Sequence, residues 1–320
     1  MFFNELLGND NIKEFLNRSI ESDKISHSYI FEGHESLGKF SFAMEYAKQL
    51  LCSSENMNYC LEKVEHGNHP DLKIIEIEGK SIKNKQIESF QEFVQIKPYE
   101  AEKKVVIIND AEKMTTSAQN RILKVLEEPP SYGVIILVCK NSMELLPTIK
   151  SRCQLIKFNR VRRDEISKFI CDKYSVEEEK GKVLSILSDG AVGKAIELVE
   201  SKTYNEKRDF VIGIPRMITE GQLKVIRINK FLNDNKENIS EIFGILRSWL
   251  RDLLFYFEIG ESDLLVNIDY IFDMREQLKY IDGEKLIKYI KILDHTEDRI
   301  SRNVNFNLAI DNMLLNWQEV

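Results

Sequence analysis

The sequence predicts a doubly wound α/β domain followed by a small helical module and an all-α C-terminal domain. Three observations carry that reading. Short apolar strands alternate with amphipathic helices over the first half, the pattern of a parallel sheet covered on both faces. A glycine-rich GxxxxGK segment, Gly33 to Lys39, lies between the first strand and the helix after it. Beyond Arg163 the strand signals stop, and five of the six prolines (70, 98, 129, 130 and 147) lie before residue 150.

The elements follow in order. Ile12, Phe15, Leu16 and Ile20 recur at helical spacing over 11–23, so a helix opens the chain. SYIFEG (28–33) is a buried strand ending in glycine, and 40–52 is a helix with Phe42, Met44, Ala47, Leu50 and Leu51 on one apolar face. A strand at 72–77, a helix at 85–96, a strand at 104–110 and a helix at 116–128 follow, the last closed by Pro129 and Pro130. VIILVC (134–139) is a strand, 146–153 a helical turn and 154–159 a final short strand. Three helical stretches lie between 163 and 201, and from about 205 the chain is all helix. Residues 242–257 are apolar almost all round, as expected of a helix buried in a core or an interface.

Composition excludes several classes. With 43% hydrophobic and 30% charged residues, the chain has the core formers of a folded multidomain protein rather than a disordered one. The formal charge of −7 is spread evenly, with 20 basic and 23 acidic residues up to Phe158 and 25 and 29 beyond it. A protein that coats nucleic acid through its own net charge is disfavoured. No apolar run approaches the ~18 residues of a membrane span, and the first residues carry no basic stretch or small-residue cleavage site. Five scattered cysteines (52, 60, 139, 153 and 171) suit thiols in a reducing cytoplasm better than a disulfide framework. A cytoplasmic protein is therefore expected.

The phosphate loop is recognisable and incomplete. Gly33, Gly38 and Lys39 are the residues that would cradle phosphates on backbone N–H groups and a lysine ammonium. The next position, where a hydroxyl would hold Mg²⁺, is Phe40. Ser41 is one step on, about 100° away around the helix. At the end of the strand VVIIND, the place of a magnesium-holding acid is taken by Asn109, a weak ligand for a hard cation. Unaided ATP hydrolysis by this chain is not expected.

At this point the residues resemble one family. LLGND (6–10), HSYIFEGHESLGK (27–39), GNHPDL (67–72), VVIINDAEKMTTSAQNRILKVLEEPP (105–130) and LLPTIKSRCQ (145–154) are similar, in order and spacing, to the bacterial clamp-loader branch of the AAA+ proteins. The resemblance implies a RecA-like P-loop domain at 1–160, a helical lid at 161–204 and a collar used for oligomerisation at 205–320. It implies a subunit of a DNA polymerase III complex that loads a sliding clamp on primer-template DNA in replication. The partners implied are gamma/tau-type motor subunits and a delta subunit, with the clamp met through the complex and no membrane.

Within that family the pattern fits a non-motor member acting as a stator. Ser151, Arg152 and Cys153 form its SRC segment, and the resemblance makes Arg152 an arginine finger acting in trans on a neighbour's ATP. The bland reading of Arg152 is a surface salt bridge worth at most ~1 kcal/mol. The family's ATP-binding members carry an arginine in a GxxR segment of the lid, and here Gly190-Ala191-Val192-Gly193 puts Gly193 in its place. Nucleotide binding is thus doubtful and no cofactor is required. The family's four-cysteine zinc site keeps Cys52 and Cys60, while its last two places fall near Lys63 and His66; His69 is the remaining candidate ligand. Zinc is not expected. Lys80, Lys83 and Lys85, with Thr116 and Ser117 at the next helix start, are candidates for holding the DNA backbone; a solvated basic loop is the alternative. The competing functions are an ATP-hydrolysing motor subunit of the same kind of assembly and a small-molecule kinase using the phosphate loop.

Overall fold

In a computed structural model, residues 2–52, 57–262, 264–302 and 304–320 are described. They fall into two compact units. One takes residues 1–169 with 188–194, and the other 170–187 with 195–320. The stretch expected as a lid, 161–204, contributes to both.

The first unit is a five-stranded parallel sheet in the order β2-β3-β4-β1-β5. In chain order it runs α1 (Asp10–Glu21), β1 (Ser28–Glu32), α2 (Lys39–Leu51), α3 (Met57–Glu65), β2 (Leu72–Ile75), α4 (Asn84–Gln95), β3 (Lys104–Ile108), α5 (Thr116–Glu127), β4 (Gly133–Cys139), α6 (Pro147–Lys150) and β5 (Gln154–Lys157). Each predicted strand and helix is present within a few residues, and α3 is an addition. The strands read as continuous apolar runs because both faces are covered. Tyr29 and Phe31 point into one core with α1, α2 and α3, while Ile30 points into the other with α4, α5 and α6. Val105 and Ile107 alternate with Val106 and Ile108, and Val134, Ile136 and Val138 with Ile135 and Leu137, in the same way. This is the two-residue period of a pleated strand.

The second unit is helical, built from the end of α7 (Arg163–Tyr174), α8 (Glu178–Leu187), most of α9 (Val192–Glu200), α10 (Lys202–Thr219), α11 (Gln222–Asp234), α12 (Ile239–Ile259), α13 (Ile271–Gln277), α14 (Gly283–Ser301) and α15 (Phe306–Glu319). The near-uniformly apolar α12 is its centre, with Phe243, Leu246, Trp249, Leu250 and Leu253 fully buried. Buried polar groups set how its neighbours lie. Arg208 donates to both oxygens of Asp269 at 2.6 and 2.8 Å and to Asn267 at 2.7 Å. Asp252, wholly inaccessible, accepts from the N–H groups of Val266 and Asn267 at 2.8 and 2.7 Å. Among the described residues no helix is long and apolar enough to cross a membrane.

The cysteines depart from expectation. Cys52 and Cys60 form a disulfide instead of standing as thiols. Cys52 ends α2 and Cys60 lies on α3, with their Cα atoms 5.6 Å apart, a separation that a disulfide spans. Cys139, Cys153 and Cys171 are free.

Candidate functional site

The carboxyl ends of the strands carry the phosphate loop. It leaves β1 at Gly33, where an added Cβ would lie 3.0 Å from Phe158, and reaches α2 through Gly38 at φ +84°. Ser36 at the tip is also left-handed, φ +58°, a conformation that costs a non-glycine residue roughly 1–2 kcal/mol. Lys39 is almost fully buried, and its ammonium donates to the carbonyls of Gly33 and His34. Burial holds its pKa below the ordinary lysine value, with Cys139, Glu112 and Asp110 pulling the other way. Within the loop, Glu35 pairs with Lys140, which holds its carboxyl below the usual range. Phe40, where a magnesium hydroxyl would stand, packs against the core.

Beside the loop, β3 is followed by Asn109 and Asp110, and Asp110 is left-handed at φ +50°. Glu112 is 8% exposed, and neither carboxylate oxygen has a hydrogen-bond partner among the described residues. From the sequence, Asp110 and Glu112 are the acids that remain after Asn109, and such an acid is as often a solvated loop residue; Glu112 is buried instead.

Arg152 stands at the other, N-terminal end of the strands. It precedes β5, and Ser28 at the start of β1 donates to its carbonyl at 2.8 Å. The phosphate loop follows the far end of β1. The four steps from Ser28 to Glu32 span about 13 Å at ~3.3 Å each. The guanidinium donates to Thr148 O at 2.9 Å and pairs with Glu127 at 2.8 Å, leaving the side chain 34% exposed. Ser151 is exposed and donates to Thr148 O at 3.1 Å. Cys153 packs against the core, and burial pushes its thiol up to about 11. A thiol of that kind is a poor nucleophile near neutral pH.

The candidate DNA-facing residues do come together. Ile82 N–H donates to Lys113 O at 3.0 Å, and Thr115 N–H to Ile82 O at 3.1 Å. Asn84 then donates to Ser117 Oγ at 2.8 Å, so the first turns of α4 and α5 are neighbours. Lys80, Lys83, Lys85, Thr116 and Ser117 are exposed there. Lys113, which the sequence reading did not include, is exposed on the same connection.

Of the residues weighed as zinc ligands, Cys52, Cys60 and His69, and Lys63 beside them, have other partners, while His66 is exposed. Cys52 and Cys60 bond to each other. Lys63 pairs with Glu100 at 2.8 Å. His69 is buried, and its Nδ1 accepts the N–H of Asp71 at 3.1 Å. Asp71 of the same segment organises a loop that sequence reasoning did not assign to it. Its fully buried carboxylate accepts the N–H groups of Tyr99, Glu100 and Ala101 at 2.8, 2.8 and 3.0 Å.

Comparison with known proteins fits this arrangement. The family model "DNA polymerase III, delta subunit" matches residues 8–162, and the model for the C-terminal part of that subunit matches 203–319. DNA polymerase III subunit delta' of Bacillus subtilis is 29% identical over 317 residues, covering 96% of this chain and 95% of that protein. Subunit tau of the same organism is 26% identical over 319 residues, covering 94% of this chain. The chain spans about half the length of tau, 54%. A solved DNA polymerase III gamma subunit-related protein from Thermotoga maritima is 22% identical, with a TM-score of 0.45 and coverage of 96% of this chain and 98% of that one. With one family's models matching both its α/β and its helical parts, the chain belongs to the DNA polymerase III delta-subunit family.

Proposed function

We propose that this chain is a delta-prime-type, non-hydrolysing stator of a clamp loader that donates Arg152 to the ATP site of a neighbouring motor subunit. The observation that carries this reading is the placement of Arg152 at the N-terminal end of the strands, opposite the end that carries the chain's own phosphate loop, with Ser28 holding its backbone. A guanidinium there has no route to a phosphate on Lys39 of the same chain and is available to a second one. Phe40 packed against the core and Asn109 just past the strand end support a loop that does not hold Mg²⁺-ATP for hydrolysis.

In the proposed mechanism the neighbour supplies nucleotide and metal, and Arg152 supplies positive charge where the γ-phosphoryl oxygens gain negative charge. Such fingers are worth about 10³–10⁵ in rate. Glu127 and Thr148 O hold the guanidinium on its own surface until the phosphate competes for it. The paired helix starts at Asn84 and Ser117, with their exposed lysines, would hold the backbone of primer-template DNA without reading its sequence. The partners are gamma/tau-type motors and a delta subunit, in the cytoplasm.

The test is ATP turnover by a reconstituted complex containing Arg152→Ala. Assembly and folding should persist, since the ion pair lost is a surface one worth at most ~1 kcal/mol. Turnover at the neighbouring site should fall by about 10³-fold or more, and Arg152→Lys should not restore it, because an ammonium lacks the planar fork. Unchanged turnover would reject the finger. Magnesium-dependent hydrolysis by the isolated chain would reject the stator.

A further inference from the structure

Gly193 is conspicuous in the sequence for the arginine it lacks, yet the structure gives it a contact of its own. Its N–H donates to the carbonyl of Ser36, at the tip of the phosphate loop, at 2.7 Å. A Cβ on Gly193 would lie 3.1 Å from Ser36 O and 3.3 Å from Ser36 Cα and Cβ. The approach is therefore of backbone on backbone, and a side chain would have to push it apart.

Two further contacts fasten the same segment to the same compact unit. Val161 N–H donates to Gly190 O at 2.9 Å, and Arg160 pairs with Asp189. Gly190 has φ +81°, and a Cβ there would lie 2.6 Å from Arg160 Cβ. Gly190 is thus required by close approach and by its positive φ, while at Gly193 any Cβ would crowd the loop backbone. The other side of the contact is equally particular. Ser36 is held left-handed at φ +58°, which turns its carbonyl toward Gly193 N–H. Lys39, meanwhile, is turned inward onto the carbonyls of Gly33 and His34.

We propose that residues 189–193 form a latch that fastens the phosphate loop shut by direct backbone contact, making the loop a fixed joint that needs no nucleotide. This deepens the stator reading and rests on it: where a nucleotide-binding subunit would change its lid contacts with the state of the phosphates, this chain keeps one arrangement throughout.

The position of Gly193 makes the proposal measurable. It is the second residue of α9, and amides in the first turn of a helix have no acceptor within the helix. Among the described residues its acceptor is Ser36 O. Hydrogen exchange resolved to this amide in the full-length chain, without nucleotide, should be at least about tenfold slower than for an open peptide. Millimolar Mg²⁺-ATP should leave that protection unchanged. Gly193→Arg should abolish it and raise exchange at 34–38, and Gly193→Ala, which adds only a Cβ, should weaken it.

A Gly193 amide exchanging at the open rate, protection lost on adding Mg²⁺-ATP, or full protection retained in a folded Gly193→Arg chain would each overturn the latch. The wild-type measurement decides the question even if a variant fails to fold. Failure here is separable from failure of the stator reading, because hydrolysis by the isolated wild-type chain is measured independently of the amide.

Discussion

Replacing Asp71 by alanine should destabilise the α/β unit more than any comparable change at a surface carboxylate. The carboxylate is fully buried and accepts three backbone N–H groups at 2.8, 2.8 and 3.0 Å. Hydrogen bonds to charged groups contribute about 1.5–3 kcal/mol each, and the three are not additive. Tyr99 and Glu100 are exposed, so water can reach part of their backbone once the carboxylate has gone. Lys104, 3.9 Å away and itself buried, keeps its bond to Ile96 O at 3.0 Å but loses its anionic neighbour. The net cost should be about 3–5 kcal/mol, a large share of the ~5–15 kcal/mol of a typical domain. Asp71→Asn should recover little, because its amide group would face N–H donors. Urea titration followed by far-UV circular dichroism measures the loss. Tryptophan fluorescence offers an internal comparison, since Trp249 and Trp317 both belong to the helical unit. A loss below about 1 kcal/mol, or an asparagine variant as stable as wild type, would refute the idea that this carboxylate braces the loop.

Two other changes test the same physics elsewhere. His69 is buried, and desolvation holds its pKa below the ordinary value, with Asp71 and Glu100 pulling upward. The unfolded chain then binds a proton that the folded chain resists, so stability is present above about pH 6.5 and falls as the pH drops toward the lower folded value. His69→Gln should flatten that part of the profile, read as urea midpoints between about pH 7.5 and 5.5; an unaltered slope would count against it. Arg208→Met leaves Asp269 without the partner on which it relies at 2.6 Å. Breaking a buried pair from one side costs about 3–5 kcal/mol, which the tryptophan unfolding curve should register.

What could be read from the chain was local. The alternation of Val105 to Ile108 between two cores, the glycines at 33 and 38 and the apolar stripe of α2 are patterns within a few residues, and the sheet follows from them. α3 escaped because only Cys60 and Val64 are buried along it, too few for a stripe. The bond between Cys52 and Cys60 was read as two thiols, since compartment and an odd count say nothing of two helices meeting. The role of Asp71 depends on N–H groups 28 to 30 residues away, and that of Glu127 on a guanidinium in another loop. Gly193 is the most telling: as sequence it is a missing arginine, and as structure it is a glycine in backbone contact with Ser36.

The opposite placement of the phosphate loop and Arg152 gives the α/β unit a front and a back. A contact that brings the Arg152 face of one molecule to the phosphate loop of the next is head-to-tail, and a twofold axis cannot produce it. Such contacts close into rings or run on as filaments, so under the proposed function the direction of β1 would set the sense in which subunits follow one another. Under the proposed function, a chain with Phe40 and Asn109 in its own loop would still occupy one place in that succession, serving a neighbour on its Arg152 side.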